Sequence, residues 1–181
     1  MRLSNQETEL LKQLAVATVE KPRSTIKELA EAVGISKATL HRFCGTRENL
    51  EVMLAERVTR ALNTIIDAAE KDYDDYKIGL GELIIAHYEE KEFLLYHFNM
   101  QSCMDEEYWM PYSKAVDSFF LNGQKQGAFR LDFGVVFLSE MFTTGICGLI
   151  ESERRGRIGK SGMSKAFEDF FLRGTLNTEK Q

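Results

Sequence analysis

Only two prolines, Pro22 and Pro111, interrupt the chain. Around them apolar residues recur at three- and four-residue spacing over long stretches, which is the period of one face of a helix. No segment alternates with the period of two that a half-buried strand requires. The expected fold class is therefore all-α, with about nine helices. A first helix is predicted over 7–20, where Leu10, Leu11, Leu14, Val16 and Ala17 form a broad stripe that Pro22 ends. A long fourth helix carries Leu50, Met53, Leu54, Val58, Ala61, Leu62, Ile65, Ile66 and Ala69 without a break. Later helices are expected at about 76–89, 92–103, 106–127, 132–154 and 162–173.

Between the first and fourth helices the signals are short-range. Thr25-Ile-Lys-Glu28 has the form of a capping box, in which hydroxyl and carboxylate satisfy the orphan amides of a helix start. Gly34 then supplies the left-handed residue that ends a helix. Ser36 is the expected N-cap of a third helix running to Cys44, and Thr46 that of the fourth. Two short helices joined by a glycine turn make a helix-turn-helix, here over 25–44. Ala30 is small where the helices cross, and Ile35 and Leu40 fill the space beneath the turn. With Leu40 and either Phe43 or Cys44 turned inward, Lys37, Ala38, Thr39, His41 and Arg42 face outward, as on a helix that enters a major groove.

The charge distribution agrees. The net charge is −5, yet residues 1–60 carry ten basic against eight acidic side chains, and residues 61–181 thirteen against twenty. Within 21–47 six basic residues face two acidic ones, Glu28 and Glu31. A positive segment on an acidic body suits phosphate contact through one face, and the expected partner is double-stranded operator DNA. The domain boundary is expected near residue 50, within the fourth helix. Residues 1–50 would form the DNA-binding unit and 51–181 a ligand-binding and dimerisation domain.

The segment LAEAVGISKATLHRFCGTRENL resembles the signature of the tetracycline-repressor (TetR) family of transcriptional regulators. The stretch FFLNGQKQGAFRLDF, followed by two apolar helices, is similar to that family's penultimate turn and dimerisation helices. The resemblance implies that Thr25 and Lys27 approach the DNA backbone, and that Ser36, Lys37, Ala38, Thr39, His41 and Arg42 lie against bases and phosphates. Arg47 stands where the family usually has a phosphate-binding lysine. His41 replaces a tyrosine of the family pattern, and Cys44 a phenylalanine.

Thirteen of the nineteen aromatic residues lie between positions 87 and 142, with four of the seven methionines. His87, Tyr96, His97, Met100, Cys103, Met104, Tyr108, Trp109, Tyr112, Phe137 and Met141 combine apolar walls with polar tips, the usual make-up of a small-molecule pocket. The same stripes also fit plain core, and the sequence leaves both readings open. The resemblance implies an effector, here small and apolar or aromatic. Phe133, Val136, Thr144, Gly145 and Gly148 form one stripe near the C-terminus, and Phe167, Phe170 and Phe171 another. Together they suggest a four-helix interface between two copies of the chain.

Other classes are disfavoured. Neither a phosphate loop nor a nucleophile elbow is present, and His97 beside Cys103 reads as core, so no enzyme and no cofactor is expected. His41 and Cys44 share a helix face, but two ligands close no zinc site, and no metal is expected. Cys44, Cys103 and Cys147 are odd in number and widely spaced, and Met1 precedes a polar stretch, so a cytoplasmic protein without a membrane segment is expected. The remaining alternative is a helical interaction module or adaptor without sequence-specific DNA binding.

Overall fold

The computed structural model describes residues 4–100, 106–159 and 161–176, and of 106–108 the backbone alone. Among these residues the protein is all-helical: α1 (Asn5–Glu20), α2 (Ile26–Ala32), α3 (Lys37–Cys44), α4 (Arg47–Glu70), α5 (Tyr76–Glu89), α6 (Lys91–Met100), α7 (Glu106–Lys125), α8 (Val135–Arg154) and α9 (Met163–Thr175). An isolated antiparallel bridge joins Phe129 to Leu176.

The early helices begin where side chains satisfy their first amides. Ser4 and Glu7 form a capping box on α1, and Thr25 and Glu28 a second on α2. In the second, the Thr25 amide donates to Glu28 Oε2 at 2.7 Å, and the Glu28 amide donates back to the Thr25 hydroxyl at 3.3 Å. Ser36 accepts from the Thr39 amide at the start of α3. Gly34 follows α2 at φ +73°, a backbone angle that side chains with a Cβ rarely adopt.

The chain forms two compact units. The first holds the chain as far as Ala61 together with α6, and the second holds Leu62–Glu90 and the chain after α6. The first part of α4 thus belongs to one and the remainder to the other. The first unit reaches past residue 50 for a physical reason. The 16-residue α1 has a buried face that α2 and α3, of 7 and 8 residues, are too short to cover. Helix α6 packs along α1 and covers the rest. Leu11, Leu14, Leu29, Leu40, Leu50, Leu54 and Phe93 are fully buried there, each contributing about 1.5–3 kcal/mol relative to exposure.

In the second unit α7 packs on α8, α5 on α8 and α9, and α8 on α9. Its core is a chain of rings: Phe120 meets Phe129, Phe142 and Phe171, and Phe142 meets Phe167 and Phe171, all with centroids within 5.8 Å. Helix α8 starts later than expected because the preceding residues are held in a turn. The Gln124 side-chain amide donates to the carbonyls of Arg130 and Phe133, each at 2.8 Å. Among the described residues α8 alone is long and apolar enough to cross a membrane by length and composition, with mean hydropathy 1.3. It carries an exposed Glu140 mid-way.

Candidate DNA interface and effector core

On α3, Leu40 is fully buried and Cys44 is 6% exposed. Cys44 therefore takes the inward position, its thiol donating to the Leu40 carbonyl at 3.4 Å, while Phe43 is half-buried. Burial also raises the thiol's pKa, which keeps it unreactive. Lys37, Ala38, His41 and Arg42 are exposed, and Thr39 is half-buried. Thr25 and Ser36 are exposed but engaged, each as a helix cap, and the Ser36 and Thr39 hydroxyls lie 2.9 Å apart. Lys27 is exposed on α2 with its ammonium 3.8 Å from Glu31. Arg47 differs from the rest: its guanidinium is turned into the unit, bonding Glu51 and two backbone carbonyls. With Cys44 buried and His41 outside, the pair does not converge on an ion, and no group of three metal-binding side chains occurs among the described residues.

The proposed effector residues divide between the units. Tyr96, His97 and Met100 belong to the first. Tyr96 and His97 are buried; burial, then the Glu51 carboxylate, raises the Tyr96 hydroxyl, and burial lowers His97 to about 4. His87, Trp109 and Tyr112 belong to the second. Cys103 and Met104 lie outside the described residues, as does the side chain of Tyr108.

In the second unit a polar relay crosses the ring core. His87 Nδ1 lies 2.7 Å from the Leu83 carbonyl, which only accepts, so Nδ1 carries the proton. Burial lowers the His87 pKa to about 4, so the ring is neutral near pH 7 and Nε2 accepts. The Tyr112 hydroxyl, 2.8 Å away, donates to it. Tyr112 in turn accepts from Thr143 on α8 at 3.2 Å. Trp109 stacks on Tyr112 with centroids 4.3 Å apart. Thr143 was not among the sequence candidates. A threonine between Phe142 and Thr144 gives no sign of its partner.

Phe137 and Met141, expected in the pocket, lie instead on the outer face of α8, 51% and 52% exposed. Their spacing puts them in register with Thr144 and Gly148, which are also exposed, while Leu138, Phe142 and Ile146 occupy the buried face. The expected interface set is redistributed as well. Val136 and Phe170 are exposed and Phe133 is half-buried, but Phe167 and Phe171 are each 5% exposed and belong to the ring core. Gly145 serves that core too: a Cβ there would stand 2.8 Å from the Phe167 ring.

This architecture is shared with solved regulators. The TetR-family regulator PfmR from Thermus thermophilus matches with a TM-score of 0.60 at 21% identity, over 94% of this chain and 97% of that one. The MbdR regulator from Azoarcus sp. CIB matches at 0.69 and 19%, over 93% and 98%. In sequence, the chain is 41% identical to the HTH-type transcriptional regulator NfxB of Pseudomonas aeruginosa, over 98% of each chain. The chain belongs to the TetR family. It is a DNA-binding transcriptional regulator, and the interaction-module alternative is not favoured. No family model matches the chain. The relative that shows the family is a transcriptional regulator rather than an enzyme.

Proposed function

We propose that the regulator is a dimeric repressor that grips a palindromic operator with two copies of α3 and releases it when a small apolar or aromatic molecule enters the second unit. The observation that carries this reading is the division of α3: Leu40 and Cys44 in the core, Lys37, Ala38, His41 and Arg42 outside. Dimerisation accounts for the exposed apolar stripe of Val136, Phe137 and Met141 on α8, with Phe170 on α9. A two-fold axis through such a stripe makes it self-complementary, and a palindromic operator calls for two α3 helices on successive turns of one DNA face, about 34–36 Å apart. Helix α4 runs without interruption from one unit into the other, and in this reading an effector displaces α7, swings α4 and changes that spacing. The coupling is limited to the effector's differential affinity for the two spacings, typically about 1–3 kcal/mol.

The test is fluorescence anisotropy on a duplex selected from a random library, across a salt series. Affinity should fall steeply with salt, by about 0.9 log units per log unit of salt for each phosphate contact. Arg42→Ala should cost about 1–3 kcal/mol if Arg42 reads a base edge. Wild-type binding by both Lys37→Ala and Arg42→Ala removes α3 as the reading element. For the effector, Trp109 is the only tryptophan and reports on Tyr112 beside it. Compounds that quench it should also shift the operator-binding curve.

A further inference from the structure

Arg47 is the first residue of α4, two residues after Gly45 turns the chain out of α3 at φ +75°. Its side chain is only 17% exposed. Nε donates to Glu51 Oε1 at 2.9 Å, one turn further along α4. Nη1 donates to the Ser24 carbonyl at 2.9 Å, and Nη2 to the Pro22 carbonyl at 3.2 Å. Both carbonyls lie in the loop between α1 and α2, and Ser24 immediately precedes Thr25, the N-cap of α2. One guanidinium therefore joins the entry of the helix-turn-helix to its exit.

We infer that Arg47 is a latch: it sets operator affinity by fixing α2 and α3 against the first turn of α4, not by binding phosphate. The inference rests on the DNA-reading function proposed for α3. Three of the five guanidinium N–H groups are already committed, in the fixed fork that only arginine offers. The Glu51 carboxylate neutralises the charge locally, which weakens its pull on a phosphate. A latch here also makes the reading head and the start of α4 move as one body, so a rotation of α4 reaches α3 without being absorbed in the α1–α2 loop.

Three variants separate the latch from a phosphate contact, measured on the library-selected duplex and on a scrambled duplex of the same length. Arg47→Lys keeps the charge, but its compact ammonium cannot span two carbonyls and a carboxylate. Its affinity for the selected duplex should fall about tenfold with the salt slope unchanged. Arg47→Ala should fall at least as far, again with the wild-type slope. Glu51→Ala removes an acid from the reading unit, so simple charge predicts tighter binding to a polyanion; the latch predicts weaker binding, because the guanidinium loses its orienting partner. Wild-type affinity in Arg47→Lys, a slope lowered by about one per subunit in Arg47→Ala, or tighter binding in Glu51→Ala each overturns the latch. Circular dichroism melts identify a variant that fails to fold. Glu51, 48% exposed, keeps the test open if an Arg47 variant does. The unsubstituted protein, run alongside, tests the DNA-reading function separately.

Discussion

In the first unit α1, α2 and α3 each begin with a serine or threonine whose hydroxyl accepts an amide three residues on. In the second unit α8 and α9 begin on Gly134 and Gly162 with no side-chain cap. What fixes the latter pair is the shared set of rings, in which Phe142 touches Phe120, Phe167 and Phe171 on two other helices. Bonds between neighbours in sequence give each of these three helices its own start and direction. A ring shared among three helices moves none of them alone. The first arrangement suits a rigid element presented to a fixed groove; the second suits a body whose helices shift together when one is pushed.

The largest effect expected is where the second unit stops being core. Phe137 is on the exposed stripe of α8, so Phe137→Glu should leave the fold of one subunit intact. In the proposed dimer it buries an unpaired charge twice across the two-fold axis, costing about 3–5 kcal/mol. Sedimentation should show the dissociation constant rising at least a hundredfold, with operator affinity following it. A variant that stays dimeric and bound to operator would place the interface elsewhere.

Within the ring core, Tyr112→Ala should cost about 3–5 kcal/mol, whereas Tyr112→Phe leaves His87 Nε2 buried without its donor, at about 1–3 kcal/mol. The histidine predicts a pH dependence. Its folded pKa is lowered to about 4 from 6.5, so above pH 6.5 neither state holds the extra proton and the full stability is present. As pH falls from 6.5 towards 4 the unfolded chain takes up a proton that the folded one refuses, and stability is lost, by about 3 kcal/mol at 1.36 kcal/mol per unit. His97 gives the first unit a loss of the same sign. Urea titrations across this range should show a shallower acid slope for His87→Gln than for the wild type; an identical slope would mean that His87 titrates in the fold as it does in the unfolded chain.

The same contrast governs what could be seen in the sequence. Thr25 with Glu28, Gly34 and Ser36 sit at offsets of a few residues, and these short offsets are enough to mark the helix-turn-helix. Helix periodicity likewise marks α4 and α8. It marks stripes, however, and not what covers them. Phe137 and Phe142 read alike in the sequence, yet one is exposed and the other is fully buried, because only packing against α7 and α9 decides which face of α8 turns inward. Met141 accordingly lies on the exposed face of α8, and Phe167 and Phe171 lie in the ring core, a difference that the stripes alone do not carry. The contribution of α6 to the first unit and the carbonyl partners of Arg47, 23 and 25 residues away, left no short-range trace.

Two glycines of α8 sharpen the line between core and surface. A Cβ at Gly145 would meet the Phe167 ring at 2.8 Å, while one at Gly148 meets nothing within 4 Å. Gly145→Ala should therefore destabilise by about 1–2 kcal/mol, since the packing strain exceeds the gain in helix propensity. Gly148→Ala should stabilise the subunit by up to about 1 kcal/mol. Thermal melts at a concentration where the proposed dimer is dissociated read both. Equal responses would mean that α8 is rotated from the orientation described.

The smallest effect tests the first unit's dependence on its caps. The Ser36 hydroxyl accepts from the Thr39 amide at 3.1 Å and lies 2.9 Å from the Thr39 hydroxyl. Ser36→Ala removes both and should cost about 1 kcal/mol; Ser36→Gly, whose backbone is easily solvated at an N-cap, should cost only a few tenths. Hydrogen exchange should accelerate at the α3 amides and leave those of α8 and α9 unchanged, since no ring is disturbed. Acceleration spread equally over both units would contradict the local character of the cap. Operator affinity separates two roles for the residue. If Ser36 acts only by holding α3 in shape, Ser36→Gly restores most of the affinity lost in Ser36→Ala. If its hydroxyl touches DNA, both variants lose affinity alike although their stabilities differ.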